Sequence, residues 1–407
     1  MLTDERKDEL ALLILWLLTE YELDIFEDFG AGFDEILTAA ADTPEIRRVM
    51  RQTGARAADV RRAIKDLSAN RSFTRALERT TAAYIEAVNN AGEKAGDAIA
   101  EAIYNGLSSA AAECFADDVR RWREAGQLPP DASPYLLALI NRYVTQAQEG
   151  VINLTKTTAI VYGPNAIPIT AAYTAELDRA LIDIVLNKRT RAECVRDAVK
   201  AMAAAGVKRI DYESGYKLSI DAAAELCLRT TAQQLTGDIC QTNCEQTGVE
   251  YVQVSGHWGA RPSHALWQGQ VYSMEEFKRV CGYQKEPMTE DQIYSWNCRH
   301  VHYPFWKGIS TPNEYPPEPD PKEWRGKQYT YYQAEQKQRG YERKMRSIRR
   351  QYAAMKRLGG QAANNTAYEL KAQYRALRAE YEAFSNAMDI KAAWNRIYAD
   401  GLGVRLL

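Results

Sequence analysis

The sequence has neither an excess of charge of one sign nor a long apolar run. Its 407 residues carry 52 lysines and arginines against 54 aspartates and glutamates, a net charge of −2. Total charge therefore gives no bulk attraction to nucleic acid or to an anionic membrane. The apolar run at residues 10–18 is far shorter than the roughly 20 residues that span a bilayer, and the residues before it are not the basic start of a secretory signal. We expect a buried helix there, in a soluble protein that is made inside the cell.

A cysteine framework and the common catalytic motifs are also missing. The seven cysteines are irregularly spaced, unlike those of small disulfide-stabilised proteins, so we expect reduced thiols. The serine-hydrolase motif GxSxG, the phosphate loop GxxxxGKS/T, the dinucleotide motif GxGxxG and the zinc-protease motif HExxH do not occur. The sequence alone therefore favours a protein that is not an enzyme.

Helical periodicity covers the first 245 residues or so, which predicts a mainly α fold of two or three domains. Thr43 followed by Pro44 is typical of a helix start, and a long helix is predicted from about residue 72 to 104. Pro129-Pro130 interrupts the pattern, and a second break follows at Gly163-Pro164 and Pro168. From these breaks we predict a long N-terminal helical region at residues 1–165 and a second helical region at residues 166–247.

Beyond residue 247 the pattern changes to that of a small α+β motif domain, predicted at residues 248–310. β-forming residues at 249–254 and 269–273 predict two strands, and Ser273 is placed to cap a short helix. Residues 311–321 hold five prolines, which favour extended backbone. We therefore predict that residues 311–330 form a linker, or an arm lying on another surface.

The C-terminal region, residues 331–407, has the clearest periodicity in the chain. Apolar residues spaced four and three apart run from Tyr341 to Met355 and from Leu370 to Phe384, on either side of Gly359-Gly360. Two such stripes separated by a glycine turn predict an antiparallel helical hairpin.

The first arm of the hairpin is strongly basic. A solvated charged face and a DNA-contacting face both agree with this composition, and the sequence does not decide between them. The candidates for DNA contact are Arg343, Lys344, Arg346, Arg349, Arg350, Lys356 and Arg357.

Histidine is scarce, and its placement marks the one candidate site. All four histidines of the chain, and half of its eight tryptophans, lie between residues 257 and 310. His257, His264, Cys298 and His300 are a candidate ligand set for a metal ion, with zinc as the ion. The spacing is not a strong zinc pattern, because no CxxC pair is present. The alternative is that these side chains are hydrogen-bonded anchors that hold loops together, and it stays open at this point.

Two sequence blocks resemble the phage minor capsid protein 2 family. The first runs from His257 through the segment HWGARPSH to WQGQVYS, and the second contains WNCRH followed by Pro304-Phe305. The order of parts is also similar: helical first half, compact motif domain, proline-rich connector and basic helical end. This family is related to the Mu F-like head morphogenesis proteins of tailed phages.

The resemblance has departures at the ligand positions. Where the wider group often has a CxxC pair and an HxxCRC ending, this chain has Arg261 and His264, then Ser295, Cys298 and His300. Three ligand-capable residues match the pattern, and His257 is a candidate fourth. The departures at Arg261 and Ser295 put a complete metal site in doubt.

The resemblance implies a non-enzymatic component of the phage particle. We expect several copies bound to the portal protein at the portal vertex and capsid interior, in contact with the major capsid protein and packaged DNA, and supporting head assembly and DNA packaging or delivery. The rival hypothesis is a metal-dependent nuclease or toxin-like enzyme that uses His264, Cys298 and His300.

Overall fold

The chain folds mainly into helices, which confirms the predicted fold class. The structure is a computed structural model, and it describes residues 3–132, 135–155, 160–162, 165–167, 169–206, 208–210 and 217–404. Within these ranges the strands are short and pair only antiparallel. The predicted break at Gly163-Pro164 and Pro168 lies outside the described residues.

The N-terminal region packs helices around one very long helix. Its elements are α1 (Asp4–Leu12), α2 (Leu15–Ala41), α3 (Pro44–Met50), α4 (Ala57–Leu67), α5 (Arg71–Glu124) and α6 (Tyr135–Thr155). The Thr43 hydroxyl accepts a hydrogen bond from the Ile46 amide, which confirms the predicted start of α3. α5 runs for 54 residues, well past the predicted end near residue 104, because no proline interrupts it before Pro129.

The apolar run at residues 10–18 is buried as predicted, but it is not one helix. α1 ends at Leu12, and the chain turns at Leu13 before α2 begins. This turn buries Ile14 and Leu18, while Trp16 stays half exposed at 50%. The break lets α1 pack closely on α5 at Gly106, where a Cβ atom would lie only 2.6 Å from the Leu13 side chain.

The second helical region shares the core of the first. It contains α7 (Ile169–Val185), α8 (Arg191–Ala205) and α9 (Ile220–Gln246), with the strand pairs β1 (Ile160–Tyr162) with β2 (Asn165–Ile167) and β3 (Lys208–Ile210) with β4 (Lys217–Ser219). The Tyr173 ring of α7 stacks on Phe29 of α2 with centroids 5.0 Å apart, and Tyr84 of α5 meets both rings edge-on. One apolar core therefore spans both predicted helical regions.

The motif domain is a three-stranded antiparallel sheet with two short helices. β5 (Tyr251–Val254) lies between β6 (Val271–Ser273) and β7 (His302–Phe305), and the helices are α10 (Pro262–Ala265) and α11 (Met274–Val280). The Ser273 hydroxyl accepts a hydrogen bond from the Glu276 amide at 3.3 Å, so the predicted cap of α11 is confirmed. Trp122, at the end of α5, contributes to the core of this domain, which joins it to the helices.

The proline-rich segment is an arm that lies on the motif domain. The Asn313 amide donates to Gln253 at 2.9 Å, and the Trp258 indole donates to the Pro316 carbonyl at 3.0 Å. After the arm comes a hairpin that the sequence did not predict, β8 (Lys322–Trp324) paired with β9 (Lys327–Tyr329). Its two turn residues, Arg325 and Gly326, both have positive φ, as a tight two-residue hairpin turn requires.

The C-terminal region forms the predicted antiparallel hairpin. α12 (Tyr331–Leu358) and α13 (Gly360–Met388) are followed by α14 (Trp394–Tyr398). The Gln338 amide donates to the Ser385 hydroxyl at 3.0 Å, and Lys356 donates to Asn364 at 3.3 Å, so opposite ends of the two helices meet. Met355 and Leu370 join the core of the N-terminal helices. We call α1–α9 together with α12–α14 the helical body.

Candidate functional site

Three of the four predicted ligands converge in the motif domain. His264 lies on α10, while Cys298 and His300 lie in the loop that leads into β7. All three are buried, and their ligand atoms lie within 4.8 Å of one another. Asn297 adopts a positive φ of 57°, which asparagine tolerates better than most residues, and this turn precedes Cys298. We call His264, Cys298 and His300 the His/Cys trio.

Hydrogen bonds to carbonyl oxygens orient both imidazoles of the trio. His264 Nε2 lies 2.9 Å from the Glu290 backbone carbonyl, and His300 Nε2 lies 3.0 Å from Gln268 Oε1. The same Gln268 oxygen accepts the His257 amide at 3.0 Å, so it is an acceptor. Because a carbonyl oxygen only accepts, each Nε2 is the protonated nitrogen and each Nδ1 carries a lone pair.

The two Nδ1 atoms face each other at 3.3 Å. Two lone pairs at this distance repel unless an electrophile lies between them. The Cys298 thiol, 3.7 Å from His300 Nδ1, can donate to that nitrogen. Among the described residues, no donor faces His264 Nδ1. The trio therefore offers two imidazole lone pairs and one sulfur atom to a common point.

The spacing of these atoms fits tetrahedral zinc. With Zn–N bonds of about 2.05 Å, two nitrogens 3.3 Å apart subtend an angle of about 107° at the metal. With a Zn–S bond of about 2.3 Å, the separation of 3.7 Å gives an angle of about 116°. Both angles are close to tetrahedral. The carbonyl partners on Nε2 are also what metal-bound histidines usually have.

Burial keeps the imidazoles of the trio neutral. Burial, with a smaller effect of nearby positive charge, lowers the pKa of His264 to about 4 and that of His300 to about 2. Burial also raises the pKa of the Cys298 thiol. Neutral imidazole is the form that binds a metal ion, whereas the thiol would lose its proton on binding.

His257, the predicted fourth ligand, does not belong to the group. Its ring packs against the His300 ring with centroids 4.4 Å apart, and its Nδ1 contacts the Trp258 carbonyl at 2.8 Å. The described residues that could hold a metal together are the His/Cys trio alone. The prediction of a four-residue set is corrected to three, because His257 stacks on a ligand instead of pointing at the common point.

The two positions that depart from the family pattern have another role. Arg261 donates to the Glu290 carbonyl, and the Ser295 hydroxyl donates to the same oxygen at 3.2 Å. That carbonyl is the one that accepts from His264 Nε2. Arg261 and Ser295, which stand where the family pattern has ligands, thus hold the Glu290 carbonyl oxygen that orients His264.

A cavity of about 160 Å³ adjoins the trio. Its opposite wall comes from α12 and includes Tyr332, Glu335 and Arg339. Glu335 is paired with Arg299 at 3.3 Å. The sequence did not predict this wall, since no pattern linked α12 to the motif domain across the proline-rich arm.

Four of the seven predicted DNA-contact residues are instead engaged inside the chain. Arg349 is fully buried and pairs with Asp400 at 2.6 Å. Arg350 pairs with Glu22 at 3.2 Å, and Arg346 pairs with Asp221 at 3.4 Å. Arg357, partly buried, contacts Asp24 at 2.6 Å.

The interpretation of the basic arm therefore changes. Its buried arginines cannot reach a DNA backbone in this fold, because the acids of other helices cover them. Arg343, Lys344 and Lys356 are exposed, and DNA contact stays a prediction for these three.

The fold and site define a helical structural protein with a small His/Cys module set into it. The family model described as Phage minor capsid protein 2 matches residues 46–381, and the chain belongs to that family. It is thus a structural component of the phage particle. No curated protein and no solved structure matches the chain. No helix among the described residues has both the length and the apolar character that a membrane span needs.

Proposed function

We propose that this chain is a non-enzymatic minor head protein that binds the portal protein at the portal vertex and capsid interior. Several copies would surround the portal, next to the major capsid protein and the packaged DNA, and would support head assembly and DNA packaging or delivery. The observation that carries the proposal is the family match over residues 46–381. A rigid helical body held by buried ion pairs suits a load-bearing part.

Exposed apolar side chains of the motif domain are suited to docking. Trp258 and Trp296 are each more than two-fifths exposed, and Leu266 is 85% exposed. Large apolar and aromatic residues of this kind often anchor protein interfaces. We propose that this surface contacts the portal.

Quantifying the chain against the portal in purified virions tests the proposal. We expect a fixed ratio, and absence from the particle would defeat the idea. Replacing Leu266 by glutamate should lower the number of copies per virion. Leu128 lies outside the motif domain and has the same exposure of 85%, so Leu128→Glu is the matched control and should leave the number unchanged.

We also propose that the His/Cys trio binds zinc in a structural role. The convergence of two Nδ1 lone pairs at 3.3 Å carries this proposal, together with the near-tetrahedral angles. The metal would cross-link α10 to the loop before β7 in a domain with a small core, and such cross-links stabilise small domains. The fourth position would face the cavity beside α12.

A metal-dependent nuclease is the second candidate, since a three-ligand site that faces a cavity is also the arrangement of catalytic zinc. Glu335 is the acid in the cavity wall, and its ion pair with Arg299 leaves it less suited to act as a base. Elemental analysis and a nuclease assay on wild type and on a His264→Ala/His300→Ala variant separate the two. Metal-dependent cleavage that the folded variant loses would favour the enzyme.

As part of the role of a minor head protein, we also propose that the exposed Arg343, Lys344 and Lys356 contact DNA. Contact with phosphates makes binding weaken steeply with salt. A triple glutamine variant should bind a DNA duplex more weakly and with a smaller salt dependence. Equal binding by wild type and variant would remove DNA from the proposed contacts of this arm.

A further inference from the structure

A second cavity lies between the start of α9, the middle of α12 and α14. Its volume is about 540 Å³. Three arginines of α12 and one of α14 line it, together with one glutamate of α9 and one of α12; they are Arg339, Arg343, Arg346, Arg396, Glu225 and Glu342. We call it the arginine cavity.

The two glutamates of the wall are already engaged. Glu225 pairs with Arg229 at 3.3 Å and with Arg346 at 3.6 Å. Glu342 lies 3.9 Å from Arg396 and accepts a hydrogen bond from the Tyr381 hydroxyl. Outside the wall, Arg346 also pairs with Asp221 and Arg396 pairs with Asp8. Arg339 and the exposed Arg343 are therefore the two arginines of the wall that have no carboxylate partner among the described residues.

Of these two arginines, Arg339 is the less exposed. Its Nε atom is shut off from solvent and meets no acceptor among the described residues. Burial and the charges of Arg299, Arg396 and Arg229 lower its pKa to about 10. A guanidinium remains charged under such conditions, and an enclosed charge without a counter-charge is costly. Something negative in the cavity would remove that cost.

The charge and shape of the wall select the class of ligand. A guanidinium presents its donors in a planar fork that matches phosphate oxygens. Arg339 and Arg343, the two arginines without a carboxylate partner, would be neutralised by a dianion. A phosphate group has this charge and enough oxygens to meet several guanidinium groups at once, whereas a carboxylate has one charge and two oxygens.

We propose that the arginine cavity binds a phosphate group, held chiefly by Arg339 with Arg343 and Arg396 beside it. This goes beyond the structural role of the chain and does not depend on it. It also differs from contact between the exposed basic arm and a DNA surface, because the site is a cavity closed on several sides.

Titration calorimetry of the full-length protein with inorganic phosphate tests the proposal, in a phosphate-free buffer with chloride as the control at equal ionic strength. Wild type should bind phosphate and not chloride. Arg339→Gln should weaken binding by about tenfold or more, the loss expected for a charged hydrogen-bonding partner. Arg375→Gln removes one charge from an exposed position on α13 that does not line the cavity, and it should bind as wild type does.

Arg343→Gln guards against misfolding of the Arg339 variant. Arg343 is exposed, yet it lines the cavity, so its replacement should leave the fold intact and still weaken phosphate binding. No phosphate-specific heat in wild type would overturn the proposal. So would equal weakening in the Arg343→Gln and Arg375→Gln variants, since this would mean general charge attraction.

The source of the phosphate group is settled by competition. A 5′-phosphorylated oligonucleotide that displaces phosphate, when its unphosphorylated twin does not, identifies a DNA end as the ligand. If neither displaces it, free phosphate is the ligand.

Discussion

The helical body and the motif domain bury polar groups in different ways. In the helical body, buried charges meet partners far away in sequence: Arg349 pairs with Asp400, and Arg350 pairs with Glu22. In the motif domain, the His/Cys trio brings lone pairs together without enough donors to satisfy them. These ion pairs are made within the chain and serve stability. The His/Cys trio instead leaves lone pairs that an added ion would satisfy, which is why we place the candidate site there.

The largest effect should come from breaking a buried pair in the helical body. Glu22→Leu leaves the Arg350 guanidinium buried without its carboxylate, at a cost of about 3–5 kcal/mol in the free energy of unfolding. Urea denaturation measures this change. Adding Arg350→Met should restore most of the stability, because no unpaired charge then remains.

An exposed pair gives the control for that comparison. Arg378 and Glu382 lie 3.0 Å apart on the surface of α13, and Arg378→Gln should cost less than about 0.5 kcal/mol. Equal losses for the two pairs would show that burial does not set the strength of these contacts.

Metal removal should give the next largest effect, and it acts on the motif domain. At a free zinc concentration one hundred times the dissociation constant, binding contributes about 2.7 kcal/mol to folding, so a chelator should lower the melting temperature. His300→Ala should abolish zinc binding, while His257→Ala should retain it because His257 stands outside the trio. Purified protein without metal, and with a melting curve that chelator does not change, would contradict the proposed site.

Acid should weaken the helical body through Asp8. Burial alone would raise the pKa of Asp8, but the charges of Arg229 and Arg396 outweigh it and lower the pKa to about 2. Because the folded pKa lies below the unfolded value, this carboxylate stabilises the fold above about pH 4, and the contribution is lost as the pH falls through 2.

The size of that contribution is about 2 kcal/mol. Between pH 4 and pH 2 the free energy of unfolding should fall more for wild type than for Asp8→Asn, as measured by urea denaturation at each pH. Parallel pH profiles would show that Asp8 is not held by the two arginines.

A smaller effect than that of Asp8 is expected from a helix cap in the motif domain. Ser273→Ala removes the cap of α11 and should cost about 1 kcal/mol. Ser273→Asp keeps an acceptor for the Glu276 amide and should cost little. A loss of the same size in both variants would point to packing and not to the cap.

Local sequence pattern predicted the helical hairpin and the strands β5 and β6. The four-three spacing around Tyr341 and Tyr374 records which faces are buried, and Ser273 marks the start of α11 through its own side chain. Such features depend on residues that are close in sequence, so they can be predicted from one sequence alone. Periodicity also predicted that the apolar residues 10–18 are buried. It did not predict the turn at Leu13, which depends on how closely α1 approaches α5 at Gly106.

The partners of the buried arginines could not be predicted. In the sequence, Arg349 and Arg350 look like surface residues of a basic helix. Their partners, Asp400 and Glu22, lie near opposite ends of the chain, so no local pattern links them to these arginines. The candidate metal site was predicted only in part, because it too depends on residues that are distant in sequence. The scarcity of histidine pointed to the correct segment of the chain. Only the fold shows that His257 stacks beside His300 and that Arg339 of α12 lines the cavity next to the His/Cys trio.

A density map of the portal vertex in assembled heads tests the central claim most directly. The account predicts density for this chain beside the portal, with the motif domain and its exposed Leu266 at the contact. Density for a complete portal vertex that leaves no place for this chain, or that puts the motif domain away from the portal, would contradict it.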